Sequence, residues 1–276
     1  MTDILKKNFE NFRNVKYKSA LDILEETFRK FGIDFYLIGA MSRDLWTENV
    51  LHLPRFRATL DLDFAICIND YNIYEQIIEC LIENKFEKTN YPYRFMFENT
   101  IIDLLPFGEI EKNGNVTFKS NPPLTLSMLS YDEVTRHSIK LSDNFQTVTL
   151  PGLCIMKLVS YYDSPDKRAK DIDDFIYILE NYFNIFTDNI IENFSTLIAE
   201  YNNAQIAGSV VLGKEMKSIF SENGKLKSII VNSLNKQISP NNEIEINEMY
   251  ESDPENSQFR KWKLILELKK EIEYGI

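Results

Sequence analysis

From residue 17 the chain places apolar side chains at a helical interval. In KYKSALDILEETFRK, Leu21, Leu24 and Phe28 fall on one side, and Gly32 supplies a stop, so the spacing predicts a helix over 17–31. The period then shortens. IDFYLIG (33–39) reads as a short strand, AMSRDLW (40–46) as that strand turning into a helix, and TLDLDFAICI (59–68) as a second strand. YNIYEQIIECLIEN (71–84) returns to the helical period, and 94–105 has strand character broken near Glu98 and Asn99. Gly, Pro and Asn within 106–130 mark turns between short strands. After Pro151 the helical period takes over, with LCIMKLVSYYD, DIDDFIYILENYF, 185–201, 204–220 and 224–237 all predicted helical. The polar, acidic stretch 238–258 reads as a loop or linker before a last amphipathic helix, FRKWKLILELKKEIE. The expectation is an α+β chain, with a mixed domain over 1–150 and a helical domain over 151–276 that completes an active-site cleft.

Composition narrows the function classes. With 276 residues, 44% of them hydrophobic and 26% charged, the chain can bury one or two cores, which excludes a wholly disordered protein. The 42 acidic residues against 31 basic ones leave a formal charge of −11, which argues against coating nucleic acid through bulk charge. Cys67, Cys80 and Cys154 show no CxxC spacing, so neither a disulfide framework nor a thiolate metal site is expected. The opening MTDILKKNFENF has no apolar leader-type core and no run of about 18 apolar residues occurs, so the expected setting is cytoplasmic, without a membrane partner. Only His52 and His137 are present, so catalysis would fall to carboxylates, Lys or Arg.

The segment from Arg57 to Ile66 carries the chemistry. Side chains alternate along a strand, so Asp61 and Asp63 share one face while Leu60, Leu62 and Phe64 take the packed one. Two like charges on one face repel unless a cation lies between them, and oxygen ligands at this spacing suit Mg²⁺ with substrate phosphates. A second apolar run, Asn99–Leu105, embeds Asp103, where an unpaired charge would be costly. If that strand lies beside the first, Asp61, Asp63 and Asp103 would form a set able to hold two metal ions. Upstream, Gly39-Ala40-Met41-Ser42-Arg43-Asp44 sits at a strand-to-helix turn, where a small residue and free N–H groups suit an anion.

Taken in order, Gly39-x-x-x-Arg43-Asp44, Arg57-x-Thr59-x-Asp61-x-Asp63-Phe64 and a third Asp on a later strand resemble the DNA polymerase β-type nucleotidyltransferase superfamily. Within it the chain looks most similar to the bacterial AbiEii/AbiGii-type nucleotidyltransferases, which include toxins of type IV toxin–antitoxin systems. Ile102–Gly108, Pro151-Gly152-Leu153-x-x-Met156-Lys157-Leu158 and Lys170-Asp171-x-x-Asp174 also fit, and the likeness covers about residues 33–183. Many members open with Gly-Ser or Gly-Gly; here Gly39-Ala40 stands in that place, with Ser42 as the nearby hydroxyl.

The resemblance implies a nucleotidyltransferase fold, a short mixed sheet flanked by helices, with a helical C-terminal domain. It implies transfer of NMP from an NTP to an acceptor hydroxyl with two Mg²⁺ ions, the acceptor being an RNA such as tRNA, or a protein. It also implies an antitoxin as a partner. The expected catalytic set is Asp61, Asp63, Asp103, Lys157 and Asp174. Gly39, Ala40, Ser42, Arg43, Arg57, Thr59, Lys170 and Asp171 would bind substrate, with Lys167, Arg168 and Arg55 joining a basic rim. Lys157, among apolar neighbours on a helix, is expected to be shielded and to stabilise charge on the nucleotide. Two other readings remain at this stage: modification of a small molecule of the antibiotic type, and a non-catalytic module that binds a protein partner.

Overall fold

A computed structural model of the chain describes residues 2–13, 17–48, 50, 53, 61–220, 222–239 and 242–275. It is an α+β protein of two units, one drawn from residues before 150 and the other beginning at Leu150, the stretch Val50–Phe56 aside. The first unit opens with α1 (Thr2–Phe12), α2 (Lys18–Phe31), β1 (Phe35–Ile38), α3 (Gly39–Thr47), β2 (Asp61–Cys67) and α4 (Tyr71–Glu83). Then come β3 (Glu87–Lys88), β4 (Arg94–Phe97), β5 (Thr100–Phe107), β6 (Asn115–Phe118) and β7 (Leu124–Ser127). α5 (Tyr131–Thr135), β8 (Ile139–Lys140) and β9 (Phe145–Thr147) close it. Seven of these strands make one mixed sheet in the order β3-β4-β5-β2-β1-β9-β8, and β6 pairs with β7 apart from it.

The sheet is organised by alternation. Leu62, Phe64 and Ile66 of β2, Phe35 and Leu37 of β1, and Ile102 and Leu104 of β5 are all buried on one face. Phe35 stacks on Phe145 of β9 with ring centres 4.4 Å apart, and Phe28 of α2 lies 4.7 Å from Phe35. Phe64 and Phe9 of α1 meet Phe145 at 5.8 and 5.1 Å. Each such ring removed from water contributes roughly 1.5–3 kcal/mol, so this aromatic cluster ties α1 and α2 to the central strands. Gly32 ends α2 in the left-handed region at φ 65°, as its position after the last apolar turn predicts.

α1 lies in the opening segment, where the sequence pattern had singled out no element. It is held by burial of Leu5 and Phe9 and by Asn8, whose side-chain amide donates to the carbonyls of Leu45 and Glu48 at 3.1 and 2.7 Å. That contact satisfies carbonyls at the end of α3, which no residue of α3 itself can reach.

The second unit is helical: α6 (Leu150–Asp163), α7 (Ala169–Ile185), α8 (Thr187–Tyr201), α9 (Ala204–Phe220), α10 (Gly224–Asn235), α11 (Glu243–Ser252) and α12 (Ser257–Tyr274). α9 is its axis, buried continuously from Ile206 to Gly213. Two glycines let neighbours approach: Gly208 lies against Phe183 of α7, and Gly213 against Leu268 and Glu271 of α12. α11 corrects the expectation of a loop or linker over 238–258. Asn242 caps it by accepting from the Ile244 amide at 3.0 Å, Ile246 is buried, and Lys270 and Lys263 of α12 reach Glu243 and Asn247 at 2.7 Å each. An acidic segment becomes helical here because a neighbouring helix supplies the lysines. Among the described residues, no helix is long and apolar enough to cross a membrane.

Two measurements probe this packing. A Cβ at Gly213 would stand 2.9 Å from the Leu268 carbonyl oxygen. Gly213→Ala should therefore lose about 1–3 kcal/mol by overpacking, although the same change in an open helix gains up to about 1 kcal/mol; a denaturant midpoint that rises would refute the close approach of α9 and α12. Separately, Tyr182 donates to Glu215 at 2.6 Å, and burial raises the Glu215 carboxyl above its ordinary 4.5 despite that bond. A raised folded value means that stability is fully present below pH 4.5 and declines as pH rises through the folded value. Glu215→Gln should thus melt higher than the parent at pH 7, with the difference closing once the pH is below 4.5.

Candidate functional site

The site-bearing residues fall into two groups, one in each unit. In the first, β2 runs parallel to β5 with Asp61 opposite Ile101 and Asp63 opposite Asp103. Side-chain alternation then puts Asp61, Asp63 and Asp103 on the same face, the one turned away from the phenylalanine cluster. Asp61 and Asp63 are half-buried and Asp103 is buried. β1 runs antiparallel on the other side of β2, with Ile38 opposite Asp63, and its next residue, Gly39, begins α3.

Gly39 is required twice over. Its φ of 70° belongs to the left-handed region, and a Cβ there would overlap the Asp63 carboxylate. The close approach sets that carboxylate against the first turn of α3, whose positive end favours an anion. Ile38 gives this helix no side-chain cap, and Gly39 and Ala40 are half-buried rather than enclosed. The strand-to-helix turn thus has the features expected of an anion-facing turn.

Ser42 and Arg43 are placed differently from expectation. Both are completely buried. The Ser42 hydroxyl lies 3.0 Å from Thr147 Oγ1 and donates to the Val148 carbonyl at 3.4 Å, the same carbonyl that accepts from Trp46 Nε1 at 2.8 Å. Arg43 Nε and Nη2 donate to Asp44 Oδ1 at 2.8 and 2.5 Å. The inward side of α3 takes every third or fourth residue, and that side carries Ser42 and Trp46 toward the end of β9. Ser42 is thus tied to the end of β9 and Arg43 to its neighbour Asp44 within α3, and the structure leaves their expected substrate-binding roles to the proposal below. Arg57, Thr59 and Arg55 lie outside the described residues.

Arg94 was not among the residues singled out from sequence. β4 and β5 form a hairpin with Phe97 opposite Thr100, so three steps outward Arg94 stands opposite Asp103. Its Nε and Nη2 donate to the two Asp103 oxygens at 2.7 Å each, a bidentate pair. This hydrogen bonding, against the opposing effect of burial, holds the guanidinium more firmly charged than a free one. The signal was present in the hairpin arithmetic: a tight turn at Glu98 and Asn99, where Glu98 has φ 51°, fixes which residues face each other. Among the described residues, no three His, Cys, Asp or Glu side chains close into a group able to hold a metal ion.

The second group lies on α6 and α7. Lys157 Nζ meets Asp171 Oδ1 at 2.6 Å and Asp174 Oδ2 at 2.8 Å. Asp174 is fully buried and Lys157 nearly so. Burial alone would lower the ammonium's pKa, but the charges and hydrogen bonds of Asp171 and Asp174 outweigh it and raise the value, so Lys157 stays charged. The other oxygen of Asp171 is buried and, among the described residues, has no hydrogen-bond partner, with Arg168 Nη1 standing off at 3.7 Å. Lys167, Arg168 and Lys170 are exposed. No family model matches the chain, and no curated protein matches it either.

Removing the cation from this buried triad should be severe. Lys157→Met would leave two buried carboxylates facing each other, at a cost of about 3–5 kcal/mol, and adding Asp171→Asn should recover part of it. Chemical denaturation of the single and double variants measures both; a double variant no more stable than the single one would mean that the triad is not an electrostatic unit.

Proposed function

We propose that the chain is a metal-dependent nucleotidyltransferase of the DNA polymerase β type, akin to the AbiEii/AbiGii group, which moves NMP from an NTP onto an acceptor hydroxyl. One observation carries this reading: the parallel register that sets Asp63 beside Asp103, with Asp61 on the same face and a glycine-led helix start against Asp63. The nucleotidyltransferase fold is part of the same proposal. It is supported by a mixed sheet in which β2 and β5 lie side by side and by the helix that follows β1 directly.

The residues fit a hard divalent cation. All the donors are carboxylate oxygens, and Gly39, having no side chain, lets the Asp63 carboxylate take a position that a Cβ would overlap. Asp61, Asp63 and Asp103 would hold Mg²⁺, two ions on this reading, and the ions would supply charge neutralisation at the phosphates and activation of the attacking oxygen.

The chain's own part is alignment. The first turn of α3 would orient phosphate oxygens through its amides, with Gly39 and Ala40 lining the approach. For Lys157, which Asp171 and Asp174 hold charged within the second unit, the motif likeness implies a charge-stabilising role, with Asp174 fixing its direction. Ser42, Arg43, Arg57, Thr59 and Lys170 keep the substrate-binding roles that the motif likeness implies. As the acceptor hydroxyl gives up its proton to solvent water and its oxygen bonds to the α-phosphorus, the bond to the bridging oxygen breaks and pyrophosphate leaves; positioning and charge stabilisation dominate such a displacement. The proposed acceptor is RNA such as tRNA, or a protein, in a cytoplasmic toxin–antitoxin setting. With a net charge of −11, RNA would be held by local basic residues rather than by bulk attraction.

Incubating the purified chain with Mg²⁺, each α-labelled NTP in turn and total RNA should place label on an RNA fraction. Asp61→Asn and Asp63→Asn should each reduce that label at least about a hundredfold. Label retained by both variants would end the assignment. Absence of Mg²⁺-dependent NTP binding at millimolar nucleotide would favour a non-catalytic module instead.

A further inference from the structure

We infer that Arg94 is a built-in counter-cation of the carboxylate face, which competes with a divalent ion for Asp103 and withdraws from it when the ion binds. This rests on the reading of that face as metal-binding and adds a residue to it that the motif likeness does not contain.

The argument begins with which partner can move. Asp103 is buried in the middle of a strand paired on both sides, to β2 and to β4, so its carboxylate has little freedom. A buried carboxylate also needs a cation or several donors to remain charged. Arg94 supplies that cation through two 2.7 Å hydrogen bonds, yet its own side chain is 30% exposed. In this same position its guanidinium carbon lies 5.6 Å from the ring centre of Tyr91, an exposed residue, within the range of a cation–π contact. A partly exposed arginine on a long stem, with an aromatic ring already beside it, can leave Asp103 by side-chain rotation without moving β4.

The second step is charge. Arg94, Asp103 and Asp63 lie in one row across three adjacent strands, with Asp61 two residues from Asp63 on the same face. Among the described residues, this face carries three carboxylates and one guanidinium. A divalent ion shared by Asp63 and Asp103 would sit within a few ångströms of the guanidinium, and like charges that close repel strongly in a partly desolvated site. While Arg94 holds Asp103, metal binding to the face is weakened; once an ion takes Asp103, the guanidinium is free to meet a further anion, for which a nucleotide phosphate has the right chemistry. Arg94 would then couple metal arrival to phosphate capture.

The test uses the full chain without nucleotide. Mn²⁺ binding is followed by electron paramagnetic resonance at low ionic strength in the parent, Arg94→Gln, Arg94→Lys and Asp63→Asn. Arg94→Gln should bind Mn²⁺ on the order of tenfold more tightly, and Arg94→Lys, which keeps the charge, should stay close to the parent. Unchanged or weaker binding by Arg94→Gln overturns the inference. A second measurement needs no variant: modification by phenylglyoxal, read at Arg94 by peptide mass spectrometry, should rise several-fold with Mg²⁺ but not with sodium chloride of equal ionic strength. No rise likewise overturns it. The two readings separate cleanly. If Mn²⁺ fails to bind, or binds equally to Asp63→Asn, the metal-binding face is wrong and this inference falls with it. If binding needs Asp63 but is indifferent to Arg94, this inference alone falls.

Discussion

Like charges placed on one face of a sheet are unfavourable, and the parallel pairing of β2 with β5 imposes that arrangement on Asp63 and Asp103. Strand register is not adjustable one residue at a time: a slip by one would turn Leu62, Phe64 and Ile66 to the opposite face and break the aromatic cluster with Phe28, Phe35 and Phe145. The hydrophobic face therefore fixes the acidic one. Burial of phenylalanines on one side holds three carboxylates in fixed relation on the other, and the unit meets the repulsion locally with Arg94 at Asp103 and the first turn of α3 at Asp63.

The second unit solves a similar problem with the signs reversed in number: one buried ammonium faces two carboxylates. Lys157 could not remain charged at its depth alone, and Asp171 and Asp174 could not share their position without it. Such a triad contributes less net stability than its short distances suggest, because desolvating three charges offsets much of their attraction. What it supplies is a cation of fixed position. That property matters more to a site than to a core, and it is consistent with the role proposed for Lys157.

Much of this could be read from the sequence because the relevant signals are local. The alternation Asp61-Leu62-Asp63-Phe64 declares its two faces, the period in α2 and the glycine after it mark one helix, and the break at Glu98 and Asn99 marks a hairpin. What escaped notice depends on partners distant in sequence. α11 is acidic and polar by composition and is helical because Lys263 and Lys270 lie alongside it. Ser42 sits in a motif-like position, but its direction is set by Thr147 and Val148, about a hundred residues on. Arg94 looks like one surface arginine among many until the register of β4 against β5 is worked out.

These differences sort the face's residues by mobility. Asp63 is hemmed in by Gly39, whose lack of a side chain is what permits the contact, and Asp103 is enclosed by strands on both sides. Ser42, tied to β9, holds that helix in place, and its first turn is the part directed at Asp63. Arg94 alone of the groups described on this face combines a long flexible stem with partial exposure, and the Tyr91 ring lies beside it. A site meant to accept cations and phosphates in succession needs rigid ligands, because misplacing them by an ångström weakens every later step. It also needs a charge that can give way, because a fixed guanidinium would oppose the incoming ion permanently. The sheet supplies the first requirement through register, and a single arginine at the end of a hairpin strand supplies the second.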